Sequence, residues 1–173
     1  MLQRSLLLTF ATATTAGCQP AAPGPDPNLA RLLDRQAIEQ LLAGDYPHVL
    51  DTRDFDAYAA LYTEDGELSL QGNTVKGRAA IKAFVGALPA EPRVIHPITN
   101  LSYTIDGDTA TGGAYWQDIG LTSGTPGVLI AGRYEDTLRK VNGQWQIAKR
   151  NIVIEFAPPA PPAPPAPPAA ATQ

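Results

Sequence analysis

Cysteine, histidine and clustered positive charge are scarce in this sequence. Its 173 residues include one cysteine, Cys18, so no internal disulfide can form. The two histidines, His48 and His96, form no His-x-x-x-His. With no Glu-x-x-His and no cysteine pair either, no metal site is legible. There is no glycine-rich loop to cradle a phosphate and no Gly-x-Ser-x-Gly elbow, so no cofactor is expected. Lysine and arginine together number 13 against 17 aspartates and glutamates. The formal charge is −4 and no basic patch stands out, which argues against a nucleic-acid partner. No internal repeat appears.

Proline is abundant but unevenly placed. Of 17 prolines, 12 lie in two flanks, Gln19 to Asn28 and the tail APPAPPAPPAPPAAATQ from Ala157. In the tail, proline pairs recur every three residues, the period of polyproline II, so no packed core can form there. A stiff solvated spacer and a ligand for a proline-binding module both fit. At the other end, MLQRSLLLTFATATTAGC carries Arg4, an apolar run from Leu6 and then small residues. That is a secretory signal, too short to span a membrane as a helix. Its last residues, TAGC, resemble a bacterial lipobox, in which Cys18 becomes the lipidated first residue; a free exported cysteine is the alternative. The expected division is residues 1–17 signal, 18–28 linker, 29–156 folded domain and 157–173 tail. The expected location is the cell envelope, lipid-anchored through Cys18, on the outer membrane facing the periplasm.

Within the domain, Leu33, Ile38, Leu41, Leu42, Val49 and Leu50 recur at helical steps, predicting a helix from Leu29 to about Leu50 that Pro47 must distort. Asp54 reads as the N-cap of a short second helix, DAYAALYT. EDGELSLQGNTVKG reads as a hairpin turning at Gly72-Asn73, and RAAIKAFVGAL as a third helix. After Pro92 the period becomes two. VIHPITNLSYTIDGD, TATGGAYWQDIGL, GVLIAGRYEDTLRKVNG and QWQIAKRNIVIEF predict four strands of an antiparallel meander, with turns at Gly107-Asp108 and Asn142-Gly143. Helices first and sheet last make the class α+β. Gly112, Gly113 and Gly132 in mid-strand suggest bends that curve the sheet around an inner pocket.

The chemistry-bearing candidates are His96, Asp51 and Tyr46. Asp51 ends the first helix, where the macrodipole disfavours negative charge. Either the following turn amides satisfy it, or an imidazole does. A carboxylate on one ring nitrogen fixes the tautomer and raises basicity at the other. Tyr46 falls on the inward stripe, so its hydroxyl needs a partner. A histidine like His96, taken by itself, is more often a hydrogen-bonded core or edge residue.

The order of elements, with IEQLL, YPHVLDTRDFDAYAALYTEDGEL, G-R-A-A-I, H-P-I-T-N, DGDTATGGAYW, GRYEDTLRK and GQWQIAKR, resembles the SnoaL-like branch of the nuclear-transport-factor-2-like superfamily. The sequence is similar in particular to its scytalone dehydratase and bile-acid dehydratase group. The resemblance implies a cone of three helices on a curved antiparallel sheet. It implies a tyrosine, an aspartate and a histidine in the pocket, here Tyr46, Asp51 and His96, with His96 as base and then acid. It further implies that Arg150 contacts substrate. Trp116 and Tyr134 line the pocket or pack the core, and Asp118 is the candidate base if the reaction is an isomerisation.

These readings lead to a cofactor-independent dehydratase or isomerase acting on a small hydrophobic carbonyl compound in a closed, apolar pocket. The alternative is a non-catalytic ligand-binding lipoprotein. A homodimer through the outer face of the sheet is expected.

Overall fold

The computed structural model describes residues 26–90, 93–122 and 124–158. The signal, Cys18 and nearly all of the proline-rich tail lie outside the described residues.

The first helical segment runs from Pro27 to Asp51 in three parts. α1 (Pro27–Glu39) starts on the Asp26 cap, whose side chain accepts the Asn28 amide, with proline in the first turn. A π-helical turn follows at Gln40–Asp45, and α2 (Tyr46–Asp51) completes it. Pro47 is the cause of the break. It has no N–H to give the carbonyl four residues back, and the turn before it widens so that the Tyr46 amide reaches Leu41 O. Such π turns redirect the side chains that follow, and Tyr46 points inward, 1% exposed.

The expected inward stripe holds for Ile38, Leu41 and Leu42 but not for Leu33, which is exposed together with Leu29 and Leu32. The start of α1 meets the sheet through a polar contact instead: Asp34 accepts from Trp145 Nε1 at 3.0 Å and pairs with Lys140.

α3 (Phe55–Ala60) begins on Asp54, whose carboxylate accepts the Ala57 amide at 3.0 Å. β1 (Tyr62–Leu70) and β2 (Asn73–Lys76) form the hairpin. Its turn is Gln71-Gly72, one residue earlier than expected, with both residues at positive φ. α4 (Arg78–Gly86) packs Ile81 and Val85 into the core. β3 (Val94–Ile95), β4 (Ile98–Asp106), β5 (Thr109–Thr122), β6 (Thr125–Val141) and β7 (Gln144–Phe156) follow.

The seven strands make one curved, unclosed sheet in the order β2-β1-β7-β6-β5-β3, with β4 also on β5. It is mixed, not wholly antiparallel. The meander brings β7 beside β1, and those two strands run parallel. Five register shifts mark its curvature, at Tyr62/Glu67, Thr99/Ser102, Asp118/Ile119, Thr137/Leu138 and Ala131/Gly132. Gly132 permits the last of these, since a Cβ there would lie 1.9 Å from Val153 O.

The helices cover the concave face. Leu42, Tyr62, Ile81, Leu138 and Ile147 are fully enclosed between the two layers. Truncating any of these aliphatic side chains to alanine costs about 2–5 kcal/mol.

Candidate active site

His96 lies in a break of the sheet. Val94–Ile95 pair with β5, and pairing resumes at Ile98. Pro97 has no N–H to contribute, and the His96 amide leaves the ladder to donate to Asp51 Oδ2 at 3.3 Å. The continuous strand read from VIHPITN is therefore two strands with His96 at the hinge. Asp51 Oδ1 also meets His96 Nδ1, at 2.5 Å. One carboxylate thus grips both the backbone and the ring. This satisfies a negative charge at the C-terminal end of α2 and assigns the proton to Nδ1.

The other ring nitrogen, Nε2, is 3.0 Å from Asp118 Oδ1. That contact is at ion-pair distance but is not aligned as a hydrogen bond, and Asp118 Oδ1 is buried without a hydrogen-bond partner. The β5–β6 bulge explains how Asp118 gets there. Asp118 pairs with Ile130 and Ile119 with Val128, leaving Leu129 unpaired, which re-aims the strand next to the pocket. Burial by itself would lower the His96 pKa. The Asp118 and Asp51 contacts outweigh it and hold the imidazolium above its ordinary value of 6.5.

These three residues sit at an apolar cavity of about 310 Å³, walled by Leu50, Phe55, Val85, Val94, Leu129 and Ile130. It is not closed as expected: Leu88, Pro89 and Ala90, which also line it, are exposed. Arg53 and Arg93 complete the lining. Arg53 follows α2 in a Schellman end, with Arg53 N–H to Leu50 O at 3.1 Å and Asp54 N–H to Val49 O at 2.9 Å. Arg53 occupies the left-handed position, φ 58°, where glycine is usual and another residue costs about 1–2 kcal/mol. Its guanidinium donates to Leu88 O and Pro89 O at 3.1 and 3.2 Å and lies 4.9 Å over the Phe55 ring. Sequence reasoning passed over Arg53, because nothing in TRD announces a left-handed arginine.

Four other candidates form a separate cluster. The Tyr46 hydroxyl is 2.7 Å from that of Tyr58, which is 3.3 Å from that of Tyr62. Arg150 is wedged between the Tyr46 and Tyr134 rings, 4.1 and 3.9 Å from their centroids. It pairs with Asp136 through Nε at 2.8 Å and Nη2 at 2.6 Å. Tyr103 donates to the same carboxylate at 2.6 Å, and Trp116 stacks on Tyr134.

None of Tyr46, Trp116, Tyr134 or Arg150 lines the His96 cavity. Burial pushes the Tyr58, Tyr62 and Tyr134 hydroxyls well above their ordinary value, so they remain neutral. Arg150 and Asp136 side chains are wholly buried. They brace the interior of the cone. A second cavity, about 560 Å³, lies between α1 and β4 and includes none of the His96 cluster.

A cavity of this kind, opened by a histidine between two carboxylates beneath helices on a curved sheet, defines a class of small-molecule pocket rather than one reaction. Residues 30–151 match the family model of the SnoaL-like domain, and the chain belongs to that family. Among solved structures it is similar to an NTF2-like protein with a cystatin-like fold from Novosphingobium aromaticivorans, at 31% identity and TM-score 0.68, over 73% of this chain and 85% of that one. It is similar to LinA at 26% identity and TM-score 0.68, over 82% and 99%. A protein assigned by name to the scytalone dehydratases, from Novosphingobium aromaticivorans DSM 12444, matches at 26% identity and TM-score 0.64, over 75% and 89%. The comparison with curated proteins gave no match.

Proposed function

We propose that the protein is a dehydratase or isomerase that abstracts a proton next to a carbonyl, with His96 as the acid–base group. The observation that carries this reading is the double contact of His96: Nδ1 on Asp51 at 2.5 Å and Nε2 beside Asp118 at 3.0 Å, at an apolar cavity. The SnoaL-like membership and the likeness to the protein assigned to the scytalone dehydratases support it.

In this reading Nε2, assisted by Asp118, removes the proton from the carbon beside a carbonyl. Asp51 stabilises the imidazolium that forms. In a dehydration, the same proton passes to the β-hydroxyl, the C–O bond breaks, a C=C bond forms and water departs. In an isomerisation it returns to a different carbon. General acid–base assistance of this kind is worth about a hundred- to ten-thousandfold in rate. Tyr46, which the resemblance placed in the pocket, uses its hydroxyl on Tyr58. Its proposed role is to brace Arg150 and the inner wall. Export and lipid attachment at Cys18 stand as a separate proposal, and the intact mass of the membrane-extracted protein decides it.

The test is an NMR pH titration of His96 in the wild type and in Asp51→Asn, followed by a turnover screen of β-hydroxy carbonyl compounds. An Asp51-dependent titration with turnover supports the enzyme. An Asp51-independent titration without turnover leaves the binding-protein alternative.

A further inference from the structure

The His96 cavity has a charged rim that the acid–base chemistry does not use. Arg53 lies on that rim, and among the described residues it has no carboxylate within ion-pair distance. The two interactions of its guanidinium nitrogens are with backbone carbonyls, Leu88 O and Pro89 O. Those bonds orient the planar fork without neutralising it, and Phe55 supports one face. The chain holds an arginine in the left-handed position that ends α2, where glycine would be unstrained. A local rule broken at a pocket rim points to a use for the side chain.

The charges of the cavity have a direction. Asp51 and Asp118 flank His96, and an anionic group placed beside them would be repelled. At Arg53, beside apolar walls, the same group gains charge-assisted hydrogen bonds. The walls between, Leu50, Phe55, Val85 and Ile130, offer no polar side chain. About 310 Å³ is roughly ten times the volume of a water in the liquid, so the body that fits is small.

We infer that the substrate is a small apolar carbonyl compound that also carries a carboxylate, the carboxylate held at Arg53 and the carbon next to the carbonyl directed to His96. This inference names the substrate class of the pocket and rests on the reading of that pocket given above. Arg53 is then the residue that sets both orientation and selectivity.

A matched pair of probes tests it. Octanoate and 1-octanol are titrated by NMR into the full-length protein, following the methyl signals of Leu50, Val85 and Ile130. Octanoate is expected to bind about tenfold or more tighter than octanol, the scale of one hydrogen bond to a charged group. Arg53→Asn, a neutral residue that tolerates the left-handed backbone, is expected to lose that preference while octanol binding stays within about twofold. Arg53→Lys keeps the charge without the fork and is expected to keep part of the preference. Should Arg53→Asn fail to fold, the wild-type pair and Arg53→Lys still decide.

Equal binding of the two probes to the wild type overturns the inference, as does an undiminished preference in Arg53→Asn. Neither readout needs turnover. A carboxylate preference with an Asp51-independent His96 keeps Arg53 as the carboxylate-binding residue and removes the enzyme reading, and with it the reacting carbon at His96. No preference, with an Asp51-dependent His96, does the reverse.

Discussion

Asp51 holds His96 at two points, accepting the ring Nδ1 at 2.5 Å and the backbone N–H at 3.3 Å. The residues are 45 positions apart, and the contact joins the end of α2 to the break between β3 and β4. Asp51→Asn keeps the shape but loses the charge and can favour the wrong tautomer. The expected result is a fall in the His96 pKa, seen by NMR, and a loss of turnover of about a hundred- to ten-thousandfold. An unchanged His96 titration would remove the dyad.

His96 and Asp118 are expected to behave as one unit. If Asp118 worked alone as base, activity would survive His96→Gln. Because the two touch at 3.0 Å, His96→Gln and Asp118→Asn are each expected to abolish most turnover, and the double variant to lose little more than either single one. The measurement is kcat/KM across the four-member cycle.

Stability should follow the raised pKa of His96. The folded value lies above the ordinary 6.5 because Asp118 and Asp51 outweigh burial. Protons are therefore bound more tightly in the folded than in the unfolded state. The resulting stabilisation is fully present below about pH 6.5 and is lost as pH rises through the folded value. Urea midpoints measured from pH 5 to 9 should fall over that upper window. The fall should be smaller in Asp51→Asn, while a slope identical to wild type in that variant would count against the assignment to His96.

The Arg150–Asp136 pair carries a different expectation. Both side chains are fully buried. Asp136→Ala strands a guanidinium between the Tyr46 and Tyr134 rings, and the expected cost is about 3–5 kcal/mol, read as a drop in the urea midpoint. Arg150→Met strands the Asp136 carboxylate instead, but that group keeps the Tyr103 hydroxyl and can take up a proton, so Arg150→Met should cost less than Asp136→Ala. A stable Asp136→Ala protein with impaired substrate binding would instead restore Arg150 to the substrate contacts implied by resemblance.

Gly132→Ala should fold poorly or not at all. Its Cβ would lie 1.9 Å from Val153 O, a backbone atom of the β6–β7 ladder next to the register shift, not the far end of a flexible side chain. Circular dichroism after expression is the check; a normal melting curve would show that the bulge can relax.

Much of this protein follows from local rules that the sequence carries. The Asp54 cap, the β4–β5 turn at Gly107-Asp108 and the β6–β7 turn at Asn142-Gly143 depend on neighbouring residues alone. So do the helix break at Pro47 and the alternation of the long strands. The family pattern rests on such elements in their order, which is why the α+β cone was legible. What was not legible depends on how distant segments meet. The parallel pairing of β1 with β7 comes only from closing the sheet. Leu33 is exposed because the start of α1 meets the sheet through Asp34 and Lys140, a contact over more than a hundred residues that periodicity cannot register. Tyr46 and Arg150 have the residue types of a site, but packing places them in an aromatic interior away from the His96 cavity. Asp118 reaches His96 because a bulge opposite it re-aims a strand, and Arg53 reaches the rim because a Schellman end turns the backbone left-handed. Residue type and spacing thus determined the elements and named Asp51 and His96. Tertiary closure, through register, bulges and long-range burial, decided which side chains share a cavity.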